Sequence, residues 1–262
     1  MDVLGAVSPL SVLSGCMVGV LVGLTGVGGG SLMTPLLILV FGTQATTAVG
    51  TDLLFAAATK SAGSIAHGLK QNIDWPIVGW LAAGSLPGAM LTVAGMYAIG
   101  IRGHTSPPLI TVTLGIALLL SAGAMLGRQR IRQWVGRRAA AVPRWAAPLT
   151  VLAGLLLGVL VTISSVGAGA LGMVMLVSLY PTKPLARLVG TDVAHAVPLT
   201  LVAGLGHTLI GSVRWTLLVS LLLGSVPGIV IGARLSTRVP ERVLQPILAA
   251  VLAVVGVRML TR

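Results

Sequence analysis

Ten apolar segments follow one another along the chain, at about 4–24, 27–42, 45–67, 76–99, 108–127, 147–163, 166–181, 186–211, 215–233 and 243–260. A helix that crosses a bilayer needs about 20 mostly apolar residues. The second and seventh segments are short, and each follows a glycine-rich stretch: Gly26-Val27-Gly28-Gly29-Gly30 and Gly167-Ala168-Gly169. Close helix packing accounts for scattered glycines, but three in a row exceed that need. They predict a broken helix or re-entrant turn, which lipid tolerates only where the backbone is buried or lines a cavity. The pattern therefore predicts an all-α, polytopic transmembrane bundle. The first segment reads as a span and not a secretory signal, because Asp2 replaces the basic start and the apolar run is too long.

Composition agrees. Of the 262 residues, 55% are hydrophobic and only 8% charged, against about 25% charged in soluble domains. The mean hydropathy is +1.02. The formal charge of +12 comes from few ionisable groups, and in a membrane protein such cations belong at loop ends. With aromatics at 3%, neither a basic face nor a stacking platform for nucleic acid is expected. The single cysteine, Cys16, excludes an intrachain disulfide and reads as a small packing residue.

The halves of the chain repeat. At a shift of 140, Val49-Gly50-Thr51-Asp52 falls on Val189-Gly190-Thr191-Asp192, His67 on His207, Trp75 on Trp215, and Gly84-Ser85-Leu86-Pro87-Gly88 on Gly224-Ser225-Val226-Pro227-Gly228. Over positions 49–88 there are 13 identities in 40. The glycine motif aligns at a shift of 139. Apolar bias alone does not bring Asp, His, Trp and Pro into register. The expected organisation is a first repeat over 1–127, an Arg-rich linker over 128–146 and a second repeat over 147–262. Five segments per half is an odd number, so the second half should enter the membrane from the opposite side. That is the inverted-repeat plan of secondary transporters, whose sites lie at the repeat interface on broken helices.

Orientation follows from the cations. Six arginines, Arg128, Arg130, Arg132, Arg137, Arg138 and Arg144, crowd the central linker, which predicts a cytoplasmic loop. Ten spans then put Lys70, Lys183, Arg187, Arg234, Arg238 and Arg242 on the same side. No nucleotide-binding G-x-x-x-x-G-K-[ST] sequence occurs, so no ATPase motor is expected in the chain.

Only five acidic residues exist, and Asp52 and Asp192 occupy equivalent places inside segments. A charge near the bilayer centre costs about 2.5–3.5 kcal/mol on insertion scales. The pair is therefore a candidate for proton coupling, with an N-terminal helix cap formed by Asp52 with Thr51 as the structural alternative. His67 and His207 end the same segments. Inversion would bring Asp52 near His207 and Asp192 near His67 as relays, or the histidines simply anchor helix ends. Lys60 is the one basic residue deep in a segment and lies opposite Thr200 in the repeat. A buried cation there would balance Asp52 or attract an anion. Backbone N–H groups at the breaks and the positive end of a half-helix also favour an anion. The candidate substrate-binding residues are thus Gly28, Gly29, Gly30, Ser31, Thr51, Lys60, Ser164, Ser165, Gly167, Gly169 and Thr191. No cofactor or protein-bound metal is expected. Trp75 and Trp215 read as interfacial belt residues, and Pro87 and Pro227 as helix-shaping prolines.

At these residues the sequence resembles the TauE/SafE family, described as sulfite exporters or toluene-sulfonate-uptake-type permeases. The matching elements are Gly23-Leu24-Thr25-Gly26-Val27-Gly28-Gly29-Gly30 with Pro35 following, Ala48-Val49-Gly50-Thr51, the His67 to Trp75 stretch and the Gly84–Gly88 turn. The likeness covers about residues 8 to 260. It implies a multi-pass transporter in the bacterial inner membrane for a small sulfur-containing anion such as sulfite, sulfate or an organosulfonate. The chain departs from the family in carrying Asp52 and Asp192 after Gly-Thr, and Val166-Gly167-Ala168-Gly169 in place of a full glycine triplet.

Two other readings compete. A proton-coupled cation or metal permease would use the Asp and His side chains as ligands, although these are few and half a chain apart. An intramembrane hydrolase would use Ser164 or Ser165 with His195 or His207, which requires a base within hydrogen-bond reach.

Overall fold

The computed structural model describes residues 9–25, 30–101, 108–138, 145–235 and 241–261, without the side chains at 22–32, 109, 128–138, 233–235 and 241–244. Among the described residues ten helices occur and no strand: α1 Pro9–Thr25, α2 Gly30–Leu39, α3 Ala45–Leu69, α4 Trp75–Ala98, α5 Pro108–Arg138, α6 Ala146–Ser164, α7 Ala170–Leu179, α8 Leu185–Leu209, α9 Trp215–Leu235 and α10 Glu241–Leu260. Each apolar segment has become one helix. The short segments, α2 and α7, have ten residues each, or about 15 Å, roughly half the hydrocarbon thickness. Helix α5 continues to Arg138, so the predicted linker is helical over 128–138, and residues 139–144 lie outside the described ones.

The exterior is apolar. Leu91, Leu126, Leu152, Leu156, Leu205, Leu209 and Val254 are all exposed, and among the described residues five helices are long and apolar enough to cross a membrane. In water so continuous an apolar surface would drive aggregation; against acyl chains it is matched. Hydroxyls inside the helices satisfy themselves on their own backbone, as Thr59, Ser61, Thr150, Thr162 and Thr200 do on the carbonyl four residues earlier. Trp75 and Trp215 are exposed at the starts of α4 and α9. Pro87 and Pro227 sit within those helices, which remain continuous.

The two halves interlock, and their main contacts come in equivalent pairs. Helix α1 packs on α9 as α6 packs on α4. Small residues make this possible. A β-carbon on Gly84 would run into the Val151 carbonyl, and one on Gly224 into the Val12 carbonyl. Cys16 is half-buried in this seam, its backbone against Gly228. Helices α3 and α8 cross at the centre and run antiparallel: Gly50 faces His207, Leu54 faces Gly204, Gly63 faces Val193 and His67 faces Gly190. The midpoint of these contacts falls near Ala58–Thr59 and Pro198–Leu199. Lys60 therefore stands within one turn of the crossing. Helix α3 is 25 residues long yet fails the apolar criterion for a span. Most of its first sixteen residues are buried in protein, Thr46, Gly50, Thr51, Asp52, Thr59 and Lys60 among them, while Ala58 is exposed.

Candidate functional site

Asp52 is the eighth residue of α3 and Asp192 the eighth of α8. Neither caps its helix: the residues at those positions are Gln44 and Pro184. The capping alternative therefore fails, because each helix starts two turns earlier than a cap at Gly-Thr-Asp requires. Both carboxylates are buried, at 0% and 2% exposure. Each lies beside the short helix of its own half. Thr34 of α2 donates its hydroxyl to Asp52 Oδ2. On the other side the backbone of Gly172 in α7 presses against Asp192 Oδ1, where a side chain would not fit.

The second half reaches into the first at the break between α6 and α7. Ser165 Oγ donates to Asp52 Oδ2 at 3.0 Å. Ser165 holds this position with φ +56°, a left-handed conformation that costs a non-glycine residue about 1–2 kcal/mol. Asp52 Oδ1 is buried and has no hydrogen-bond partner among the described residues. Two residues on, Gly167 has φ +119°, and its carbonyl collects the N–H groups of Gly169, Leu171 and Gly172. The outward-turned group is a carbonyl: Ala168 O accepts Lys60 Nζ at 2.9 Å. The break as described holds a cation from the opposite half, where an anion on free N–H groups was expected. Lys60 is buried and within Coulombic reach of both Asp192 and Asp52.

The other expected residues have structural partners. Thr51 Oγ1 accepts the Arg214 N–H at 3.2 Å, and Thr191 Oγ1 accepts the Asp74 N–H at 2.9 Å. These are one interaction made twice, each threonine pinning the loop that follows the long helix of the other half. Ser164 bonds to the Leu160 and Val166 carbonyls. His207 is fully engaged: Nε2 donates to the Thr162 carbonyl at 2.9 Å and Nδ1 meets Ser212 Oγ at 2.9 Å. His67 is partly buried at the end of α3, with Nδ1 unpartnered beside Gly190. Among the described residues neither expected Asp–His pair is hydrogen-bonded, and neither Ser164 nor Ser165 hydrogen-bonds to a histidine. Gly28 and Gly29, and the side chain of Ser31, lie outside the described residues; Gly30 opens α2.

Sequence reasoning passed over Thr34, Asp74 and the His195–Ser85 pair. Asp74, at the start of α4, leaves its helix uncapped and gives its buried carboxylate to Lys183 at 2.8 Å and Arg187 at 3.6 Å. The equivalent end of the molecule has Arg214 for Asp74, Thr43 for Lys183 and Thr47 for Arg187. There a cavity of about 360 Å³ lies between Thr43, Gln44, Thr47, Gly211 and Arg214. One end is stitched by charge and its counterpart is hollow and cationic.

These features define a polytopic helical membrane protein with a polar centre formed by both halves. A family model described as sulfite exporter TauE/SafE matches residues 11–259. The chain is 37% identical over 223 residues to the "Probable membrane transporter protein YjnA" of Bacillus subtilis (strain 168), covering 82% of this chain and 85% of that protein. It is 26% identical over 216 residues to the "Probable membrane transporter protein YdhB" of the same organism, covering 80% and 82%. No solved structure matches. The chain belongs to the sulfite exporter TauE/SafE family and is a multi-pass membrane transporter.

Proposed function

We propose that the chain is a secondary transporter that carries a small sulfur-containing anion, such as sulfite, sulfate or an organosulfonate, across the bacterial inner membrane with proton coupling. One observation carries this reading: a buried ammonium, Lys60, lies within Coulombic reach of two buried carboxylates, at the crossing of antiparallel α3 and α8. Two carboxylates against one ammonium leave no room for a further negative charge in a low-dielectric interior. Entry of an anion therefore requires that a proton enter as well, on Asp52 or Asp192. The proton neutralises one carboxylate and frees part of the Lys60 charge for the substrate.

The antiparallel crossing and the twice-made contacts favour two inverted five-helix units that rock around this centre. In this reading the Arg-rich end of α5 and the residues that follow it are cytoplasmic. The ionic stitch at Asp74 closes one end while the Arg214 end stays hollow, as expected for a carrier resting with one side shut. Against a metal permease, no three His, Cys, Asp or Glu side chains gather among the described residues, and the Lys60 ammonium at the centre would repel a metal cation.

The test is flux into proteoliposomes, with sulfite, sulfate, thiosulfate and sulfonates offered at two opposed pH gradients. Uptake of at least one of these anions, in a direction that follows the gradient, is expected. Failure of every sulfur anion together with uptake of a divalent metal overturns the reading.

A further inference from the structure

His195 takes no part in the roles above, yet it is fully buried near the middle of α8, one turn beyond Asp192 on the same side of the helix. Its ring is held from one edge only. Nε2 lies 2.8 Å from Ser85 Oγ on α4, and Nδ1 is buried with no partner among the described residues. Ser85 is itself fully buried, and this is its one hydrogen bond. Neighbouring hydroxyls differ: Thr59, Ser61, Thr162 and Ser164 all return theirs to a carbonyl of their own helix.

That difference sets the tautomer. Ser85 has one proton and no other acceptor, so the arrangement that satisfies it sends the hydroxyl proton to Nε2. A neutral imidazole accepting at Nε2 carries its own proton on Nδ1. The result is an N–H donor inside the protein with nothing to receive it, and an unmet buried donor needs a reason. Lys60 stands within Coulombic reach of the ring. A cation and an oriented neutral donor on opposite helices, α3 and α8, at nearly the same height in the crossing, together complement an anionic oxygen.

We infer that His195 is a substrate-binding residue, its Nδ1–H donating to an oxygen of the transported oxyanion, with Ser85 as the positioning residue that holds the ring in that tautomer. The inference rests on the anion-carrier reading and deepens it, since it names the side chain that donates to the ligand's oxygen. The internal repeat gives no hint of it, because Phe55 stands at the equivalent position.

The test uses two amide substitutions with opposite geometry, His195→Asn and His195→Gln, in full-length protein reconstituted in proteoliposomes. An Asn amide nitrogen overlays Nδ1, whereas a Gln amide nitrogen overlays Nε2. With sulfite and thiosulfate as the probes, His195→Gln should raise KM about tenfold or more with little change in kcat, and His195→Asn about threefold. Ser85→Ala should raise KM less than His195→Gln and more than the wild type, again without a matching loss in kcat. Equal KM values for the Asn and Gln variants, or an unchanged KM in His195→Gln, overturn the inference; the former is the result if an ordered water satisfies Nδ1. A wild type that transports no sulfur anion and takes up a divalent metal overturns the carrier reading and this inference with it. A wild type that transports, beside a Gln variant equally good, overturns this inference alone.

Discussion

Ser165, at the end of the sixth helix, hydrogen-bonds to Asp52, in the middle of the first half, across 113 residues of chain. The bond joins a strained backbone position to a buried charge and ties the two halves at one point. It places Asp52 where a relative movement of the halves would change its surroundings, as a coupling group requires. Asp52→Asn keeps the shape and can still receive both hydroxyl donors, so the protein should fold and retain anion binding. Its uptake should lose the dependence on the pH gradient. The check is proteoliposome uptake at two gradients beside equilibrium binding; a variant that binds nothing, or one whose uptake still follows the gradient, contradicts the assignment.

The left-handed backbone at Ser165 gives a second expectation. Ser165→Ala and Ser165→Gly both remove a hydrogen bond to a buried carboxylate, worth about 1.5–3 kcal/mol. Only the glycine also relieves the strain, by about 1 kcal/mol. Thermal unfolding in detergent should therefore rank wild type above Ser165→Gly and Ser165→Gly above Ser165→Ala. The reverse order of the two variants would mean that φ +56° is not held against a cost.

Much of this was legible beforehand, and the reason lies in repetition. Asp52 and Asp192, Thr51 and Thr191, and Gly84 and Gly224 stand out because the chain states each of them twice, and the structure uses each pair in equivalent places. Ten apolar runs become ten helices because lipid permits little else. What stayed hidden sits where the copies differ. His195 matches Phe55 and Asp74 matches Arg214, so comparing the halves discards these residues as noise, whereas Lys60, opposite Thr200, was legible as the one basic residue deep in an apolar segment. Thr34 carried no signal at all, being one hydroxyl in an apolar run. Searching for positions where one copy is polar and the other apolar would have found His195.

The interlocked seams predict a matched pair of lesions. Gly84→Ala and Gly224→Ala each push a methyl group into a backbone carbonyl of the opposite half, Val151 and Val12 respectively. Backbone cannot yield as a side-chain tip does, so each should destabilise by about 1–3 kcal/mol or prevent assembly. Gly79→Ala and Gly95→Ala, on the same α4 helix with open space around them, should be neutral or gain up to about 1 kcal/mol from helix propensity. Unfolding curves for the four variants decide it: unequal damage at Gly84 and Gly224 would break the equivalence of the seams, and damage at Gly79 would show that glycine matters there for another reason.

The ionic stitch at Asp74 yields the last expectation. Its carboxylate is buried while Lys183 is partly exposed, so the pair contributes to which end is shut more than to overall stability. Asp74→Asn should let that end open more often. Ile73, buried next to Asp74, provides the reporter as Ile73→Cys in a Cys16→Ala background. Labelling by a membrane-impermeant maleimide, applied from the side of the Asp74 end, should be severalfold faster when Asp74→Asn is added. The exchanged pair Asp74→Lys with Lys183→Asp should restore slow labelling. High salt should not mimic the variant fully, because screening reaches the exposed lysine more readily than the buried carboxylate. Unchanged labelling in Asp74→Asn would remove the stitch from the transport cycle and leave it as a helix-end anchor.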